Sequence, residues 1–224
     1  LARIADFCRR AAAQGADIVL TPELSLTGYP PEDLLLRQSF YAKTEQALDA
    51  LAVDLASFND LHVVVGHPVE KDGKRFNAAS VLLNGKTLGT YFKNALPNDS
   101  VFDEKRYFSS GEQPFVFDVK GISFGINICE DTWSPDAPAR AKAAGAQVLL
   151  IPNGSPYHMR KQHLRYEKMR VNVVSQGLSL LYANLVGGQD ELVFDGNSFA
   201  MDASGRASAH LAHCEEDLQV INFD

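Results

Sequence analysis

The run "SFYAKTEQALDALAVDLASFNDLHVVVGHPVE", residues 39–70, decides the class of fold. Its first part, 39–59, places Leu48, Leu51, Leu55 and Phe58 at helical spacing, which predicts a long amphipathic helix. Its second part, 61–70, is a short β-branched apolar run, which predicts a buried strand. Outward in both directions the alternation repeats. Upstream, "ARIADFCRRAAAQG" predicts a helix over 2–14 stopped at Gly15, followed by a strand at 17–22. Downstream, "FNAASVLLNGKTLGTYFKN" predicts a hairpin turning at Asn84-Gly85. A second hairpin is expected around Lys120-Gly121, with strands at 115–119 and 122–128. A helix at 135–145, a strand at 147–152, a helix at 161–176, and strands at 178–186, 197–202 and 217–223 complete the pattern. Helices interleaved with strands, some in hairpins, give an α/β class with mixed sheets. No repeat or linker divides the chain, so one domain over 1–224 is expected. The polar loop 94–114 is longer than a plain connection needs and is a candidate functional loop.

Composition narrows the function. With 28 acidic against 21 basic residues the net charge is -7, which disfavours nucleic-acid or anionic-membrane binding. No apolar run approaches the length of a membrane helix. Three scattered cysteines, Cys8, Cys129 and Cys214, with no CxxC spacing, suggest free thiols in a reducing, cytoplasmic setting. His158 and His163 lack metal-ligand spacing, so no metal is expected. The first residues read as the middle of a helix without a cap, so further residues are expected to precede them.

Three reactive side chains follow apolar strands: Glu23 after "DIVLTP", Lys93 after "LGTYF" and Cys129 after "ISFGINI". Functional groups collect beyond strand ends in α/β sheets. Singly, each has a plain reading: a solvated acid, a surface lysine, a buried inert thiol. Jointly they fit acyl transfer. Glu23 would serve as general base, Cys129 as nucleophile forming a thioester, and Lys93 as the cation offsetting the acids Glu130 and Asp131 beside the sulfur. The Glu130 N–H could add an oxyanion donor.

"TPELSLTGYPPEDLL", "YFKNALPN…VFDEKRYF" and "GINICEDTW" resemble the three signature segments of the nitrilase, or carbon–nitrogen hydrolase, superfamily. With "NGSPYHMRK" they are similar to one branch in particular, the glutaminase domains of bacterial glutamine-dependent NAD synthetases. The resemblance implies an αββα sandwich, a catalytic triad of Glu23, Lys93 and Cys129, and release of ammonia from glutamine. It implies that Glu104 is a supporting carboxylate. It implies substrate contacts from Glu130, Ser155 and Lys161, with Trp133 as a candidate pocket wall. Where the family usually has "LPNY" this chain has "LPND", so Asp99 replaces a pocket tyrosine. No cofactor is expected in this domain. ATP and Mg²⁺ would belong to a C-terminal synthetase domain that amidates deamido-NAD, and whose SGGxDS-type loop is absent here; "DASGRAS" is the nearest string. The expected partners are glutamine, that synthetase domain and further copies of the chain. The alternatives are another carbon–nitrogen hydrolase, of omega-amidase or carbamoylase type, and an inactive subunit that keeps the fold for assembly.

Overall fold

The computed structural model describes residues 1–223, which form two compact units that divide between Gln113 and Pro114. In the first unit, helix α1 (Ala2–Ala13) leads into strand β1 (Ile18–Leu20). A 3₁₀ turn, Glu32–Leu36, precedes helix α2 (Gln38–Asp54). Strands β2 (His62–Lys71), β3 (Lys74–Leu83) and β4 (Lys86–Phe92) follow. They make one sheet in the order β1-β2-β3-β4, with β1 parallel to β2 and the rest antiparallel. Each hairpin turn uses two residues of positive φ, Asp72-Gly73 and Asn84-Gly85, the chemistry that two-residue turns require. Helix α2 packs on β2 and β4 through Tyr41, Thr44, Leu48, Leu51 and Ala52.

The second unit opens with the hairpin β5 (Val116–Val119) and β6 (Ile122–Ile126), turning at Lys120-Gly121. A 3₁₀ turn, Cys129–Trp133, leads to helix α3 (Asp136–Ala143) and strand β7 (Val148–Asn153). Helix α4 (Lys161–Asn172) is followed by β8 (Ser179–Asn184), β9 (Val186–Gln189), β10 (Leu192–Asp195), β11 (Phe199–Met201) and β12 (Ala207–His210). The main sheet runs β12-β11-β8-β7-β6-β5, parallel across β6, β7 and β8 and antiparallel at both margins. Strands β9 and β10 pair separately as a ribbon. Alternate residues on one face of the sheet, Leu149, Ile151, Leu180, Tyr182, Phe199 and Met201, share a core with Ala141 of α3 and Met169 of α4. Burial of such side chains is the dominant stabilising contribution, about 25 cal/mol per Å² of apolar surface.

Several expectations need correction. The helix expected to reach residue 59 ends at Asp54, and Asp60 takes a positive φ before β2. The strand expected over 178–186 breaks after Asn184, and β9 turns away to pair with β10. Residues 217–223 alternate apolar and polar but join no ladder; the Phe223 ring instead meets Phe124 edge-on, with centroids 6.4 Å apart. The outer strand is β12, at Ala207–His210, a stretch for which the sequence pattern predicts no strand.

Candidate active site

In the first unit the chain segment after β1 is fastened to β2. Thr21 donates to the Val64 carbonyl from both its N–H (3.0 Å) and its hydroxyl (2.9 Å). The Leu26 N–H donates to the Gly66 carbonyl (3.0 Å). Gly66 is required here by close approach: a Cβ would lie 2.5 Å from both Leu24 N and Pro22 O. This seats Glu23 wholly inside the unit, with Leu24 in the left-handed region (φ 47°).

Lys93 follows β4, its N–H donating to the Asn77 carbonyl and its own carbonyl accepting from the Gly111 N–H. Its ammonium is fully buried and donates to Glu23 Oε1 at 2.7 Å and Glu104 Oε1 at 2.8 Å. Asn77 Nδ2 also donates to Glu23 Oε1 (2.7 Å), and the Tyr29 hydroxyl donates to Glu104 Oε1 (3.1 Å). The long loop 94–114 thus delivers Glu104, on the short 3₁₀ turn Glu104–Arg106. Burial pushes the Glu104 carboxyl up to about 7; Lys93 opposes the shift and the Glu23 carboxylate adds to it. The structure brings three of the expected residues into one hydrogen-bonded group. It adds Asn77 and Tyr29, for which the sequence offered no separate signal. Asp99 is exposed in the turn that Phe102 N–H closes on its carbonyl.

In the second unit Cys129 starts the 3₁₀ turn at the end of β6, with a φ of 44°. A non-glycine residue there costs of order 1–3 kcal/mol, so the surroundings must hold it. They do. Ile128 N–H donates to the Asp131 carboxylate (2.9 Å) and Asp131 N–H donates back to the Ile128 carbonyl (3.0 Å). The Thr132 hydroxyl donates to the Cys129 carbonyl (2.8 Å), and Asn172 Nδ2 of α4 to the Thr132 carbonyl (3.0 Å). The Cys129 side chain is buried, whereas Glu130 is half-buried. Of the other thiols, Cys8 is buried in α1, where loss of hydration pushes it up to about 12, and Cys214 is exposed.

Trp133 ends the same turn. The Lys161 ammonium lies over its ring, 4.6 Å from the centroid, and that of Lys168 at 5.6 Å. Burial lowers the Lys161 pKa, and the Arg165 charge lowers it further; Cys129, Glu130 and Asp195 act in the other direction. Lys161 is therefore within electrostatic reach of Cys129 and Glu130. Ser155 is buried just after β7, with its N–H donating to Asn184 Oδ1 (2.9 Å). Its hydroxyl and carbonyl oxygens both accept hydrogen bonds from Arg165, which the sequence reading did not single out. A signal was present: Arg165 recurs in phase with Met169 and Asn172 on the buried face of α4.

Among the described residues no group of three or more His, Cys, Asp or Glu side chains is placed to hold a metal ion, and no helix is long and apolar enough to cross a membrane. The "DASGRAS" segment does not fit a nucleotide phosphate. The N–H groups of Ser204 and Arg206, which a phosphate would need, already donate to the Asp202 carboxylate.

The reactive groups that the mixed α/β sheets present are the strand-end cysteine in a strained turn of the second unit and the buried glutamate–lysine–glutamate group of the first. The carbon–nitrogen hydrolase family model matches residues 1–224, and the chain belongs to that family. It is 40% identical over 218 residues to a glutamine-dependent NAD(+) synthetase of Thermotoga maritima, covering 96% of this chain and 38% of that one. It is 43% identical over 211 residues to the Xanthomonas campestris enzyme of the same name, covering 93% of this chain and 38% of that one. The chain thus spans about two fifths of the length of these relatives. Among solved structures, the glutamine-dependent NAD+ synthetase of Acinetobacter baumannii superposes with a TM-score of 0.89 at 37% identity, covering 96% of this chain and 40% of that one. A mutant of an amidase from Nesterenkonia sp. AN1, showing covalent addition of the acetamide moiety of fluoroacetamide at its active-site cysteine, superposes with a TM-score of 0.79 at 28% identity, covering 93% of this chain and 78% of that one.

Proposed function

We propose that the chain is the glutamine amidohydrolase part of a glutamine-dependent NAD synthetase, supplying ammonia through a thioester at Cys129. The observation that carries the reading is the Lys93 ammonium, fully buried between Glu23 and Glu104. Desolvating a cation and two carboxylates costs several kcal/mol per ion unless they are well paired, so a group of this kind is costly as mere scaffolding. It suits a site where charge develops during reaction. Relatives of the same name at about 40% identity support glutamine as the amide donor.

In this reading Glu23 takes the thiol proton as the Cys129 sulfur attacks the side-chain amide carbon. Lys93 and the Glu130 N–H stabilise the tetrahedral oxyanion. The intermediate collapses with cleavage of the C–N bond, and the proton held by Glu23 leaves with ammonia. Water then attacks the thioester with Glu23 again as base, and glutamate departs. Glu104 holds Lys93. Ser155 and Lys161 receive the substrate α-carboxylate, Glu130 accepts from its ammonium, and Trp133 walls the pocket. Asp99, exposed in its turn, would face the pocket only at its rim. ATP and Mg²⁺ act in the synthetase part of the complete polypeptide, where deamido-NAD consumes the ammonia, and a homo-oligomer is the expected assembly.

The test is intact-mass analysis with peptide mapping after incubation with 6-diazo-5-oxo-norleucine. A single adduct on Cys129, suppressed by excess glutamine and absent in Cys129→Ala, is expected. Glu23→Gln and Lys93→Ala should each lower turnover by about 10²–10⁴. The likeness to the amidase favours one second reading, hydrolysis of another small amide. Turnover of such an amide with none of glutamine would select it. Absence of any adduct and of any amide turnover in the complete polypeptide would point to an inactive assembly subunit.

A further inference from the structure

Arg165 is completely buried on α4, and each of its five N–H donors has an acceptor. Nε donates to Ser155 Oγ (3.2 Å) and one Nη2 hydrogen to the Ser155 carbonyl (2.7 Å). The other Nη2 hydrogen goes to Asp195 Oδ1 (2.9 Å), while Nη1 serves Asp195 Oδ2 (3.2 Å) and Gln162 Oε1 (3.0 Å). No donor is left for a ligand, so Arg165 itself binds none. Asp195, at the end of β10, is half of a two-point pair; burial works against its charge, but hydrogen bonds from Arg165 and Asn197 hold its carboxyl below the usual carboxylate range.

The consequence falls on Ser155. A hydroxyl has one proton to give and two lone pairs. Because a cationic N–H occupies one lone pair, the hydroxyl is biased toward giving its own proton elsewhere. Among the described residues no acceptor takes that proton. Four positions before Arg165 on the same helix, Lys161 holds its ammonium over Trp133 with no carboxylate within ion-pair distance among the described residues. The guanidinium charge is cancelled locally by Asp195, so the positive charge facing Trp133 comes from the ammonium groups of Lys161, the nearer to the ring, and Lys168.

We propose that the Arg165–Asp195 pair is the positioning device for carboxylate selectivity, turning the Ser155 hydroxyl into a donor while Lys161, one helical turn before Arg165, supplies the cation, so that the site prefers an amide bearing an α-carboxylate. This deepens the glutamine reading and rests on it. Arg165 is a positioning residue, acting only through Ser155.

The experiment compares glutamine with γ-aminobutyramide, which keeps the amide and the amine but lacks the carboxylate, using the complete natural polypeptide. Ser155→Ala and Arg165→Lys are expected to raise KM for glutamine about tenfold or more with a much smaller effect on kcat, since each removes a charge-linked hydrogen bond. In both variants the loss in kcat/KM should be far larger for glutamine than for γ-aminobutyramide, so the preference collapses. The double variant should be little worse than either single one, because both break the same link. Should Arg165→Lys fail to fold, Asp195→Asn replaces it: the amide oxygen cannot accept both guanidinium bonds, and the same loss of preference is expected. Equal losses on both substrates would mark the pair as structural only and overturn the proposal. A parental preference that Ser155→Ala abolishes but Arg165→Lys and Asp195→Asn leave intact would overturn this proposal alone. A parent indifferent to the carboxylate would overturn the glutamine reading and this inference together.

Discussion

Two carboxylates share one ammonium in the first unit, which leaves a surplus negative charge out of water. Glu104 carries the strain of that surplus. Its carboxyl holds a proton up to about 7, against 4.5 in an unfolded chain. Between those values the folded protein binds more protons than the unfolded one, so this group's contribution to stability declines as pH rises through the window and is level above it. Glu104→Gln removes that contribution. The unfolding free energy of the parent minus that of the variant should fall across about pH 4.5–7 and then stay constant, as read from denaturant melts at a series of pH values. The same residue marks how far the sequence could be read. Glu23, Lys93 and Cys129 were legible because each follows an apolar strand and carries reactive chemistry. Asn77 and Tyr29 were not, because nothing in a strand asparagine or a loop tyrosine says which carboxylate it will meet. Arg165 lay between: its phase with Met169 was visible, but a buried arginine makes sense only once Asp195, thirty residues on, is known to lie opposite.

Elements rather than side chains set the aim of Glu23. The segment from Thr21 to Leu26 is laid directly on β2, and the contact is possible because residue 66 has no side chain. Gly66→Ala would force a methyl group against backbone atoms that have no room to yield. Destabilisation of about 1–3 kcal/mol is expected, with a fall in turnover from a displaced Glu23; denaturant melts and amide hydrolysis on the same preparation measure both. The sequence showed most elements because helix and strand periods differ. It failed where a local pattern needed a distant partner. Residues 217–223 had the alternation of a strand but pair with none of the described strands. The apolar run through Leu185 looked continuous, yet β9 leaves the main sheet to pair with β10. The Asp72-Gly73 turn is a local hairpin signal of the same kind as Asn84-Gly85.

At the scale of the whole molecule, the chain spans about two fifths of the length of its synthetase relatives, so the proposed supply of ammonia is tested in the complete polypeptide. In the complete polypeptide, Cys129→Ala should abolish glutamine-dependent formation of NAD while leaving formation from free ammonium salts within about twofold of the parent, because only the thioester route runs through the sulfur. Equal loss with both nitrogen sources would instead mean that the substitution disturbs more than the nucleophile. The two-sided burial of β7 has a kinetic counterpart. Its amides lie in the middle of the six-stranded sheet and should exchange with solvent deuterium only through large-scale opening. The ribbon β9–β10 has two strands and an exposed tip, and such ribbons are marginal by themselves. Arg165 reaches across that difference, joined to Ser155 at the end of β7 and to Asp195 at the end of the ribbon. A strand at the centre of the sheet and a marginal ribbon are thus tethered by one guanidinium, and on the proposed role of Ser155 transient fraying of the ribbon would loosen the hold on a carboxylate without unfolding anything that holds Cys129.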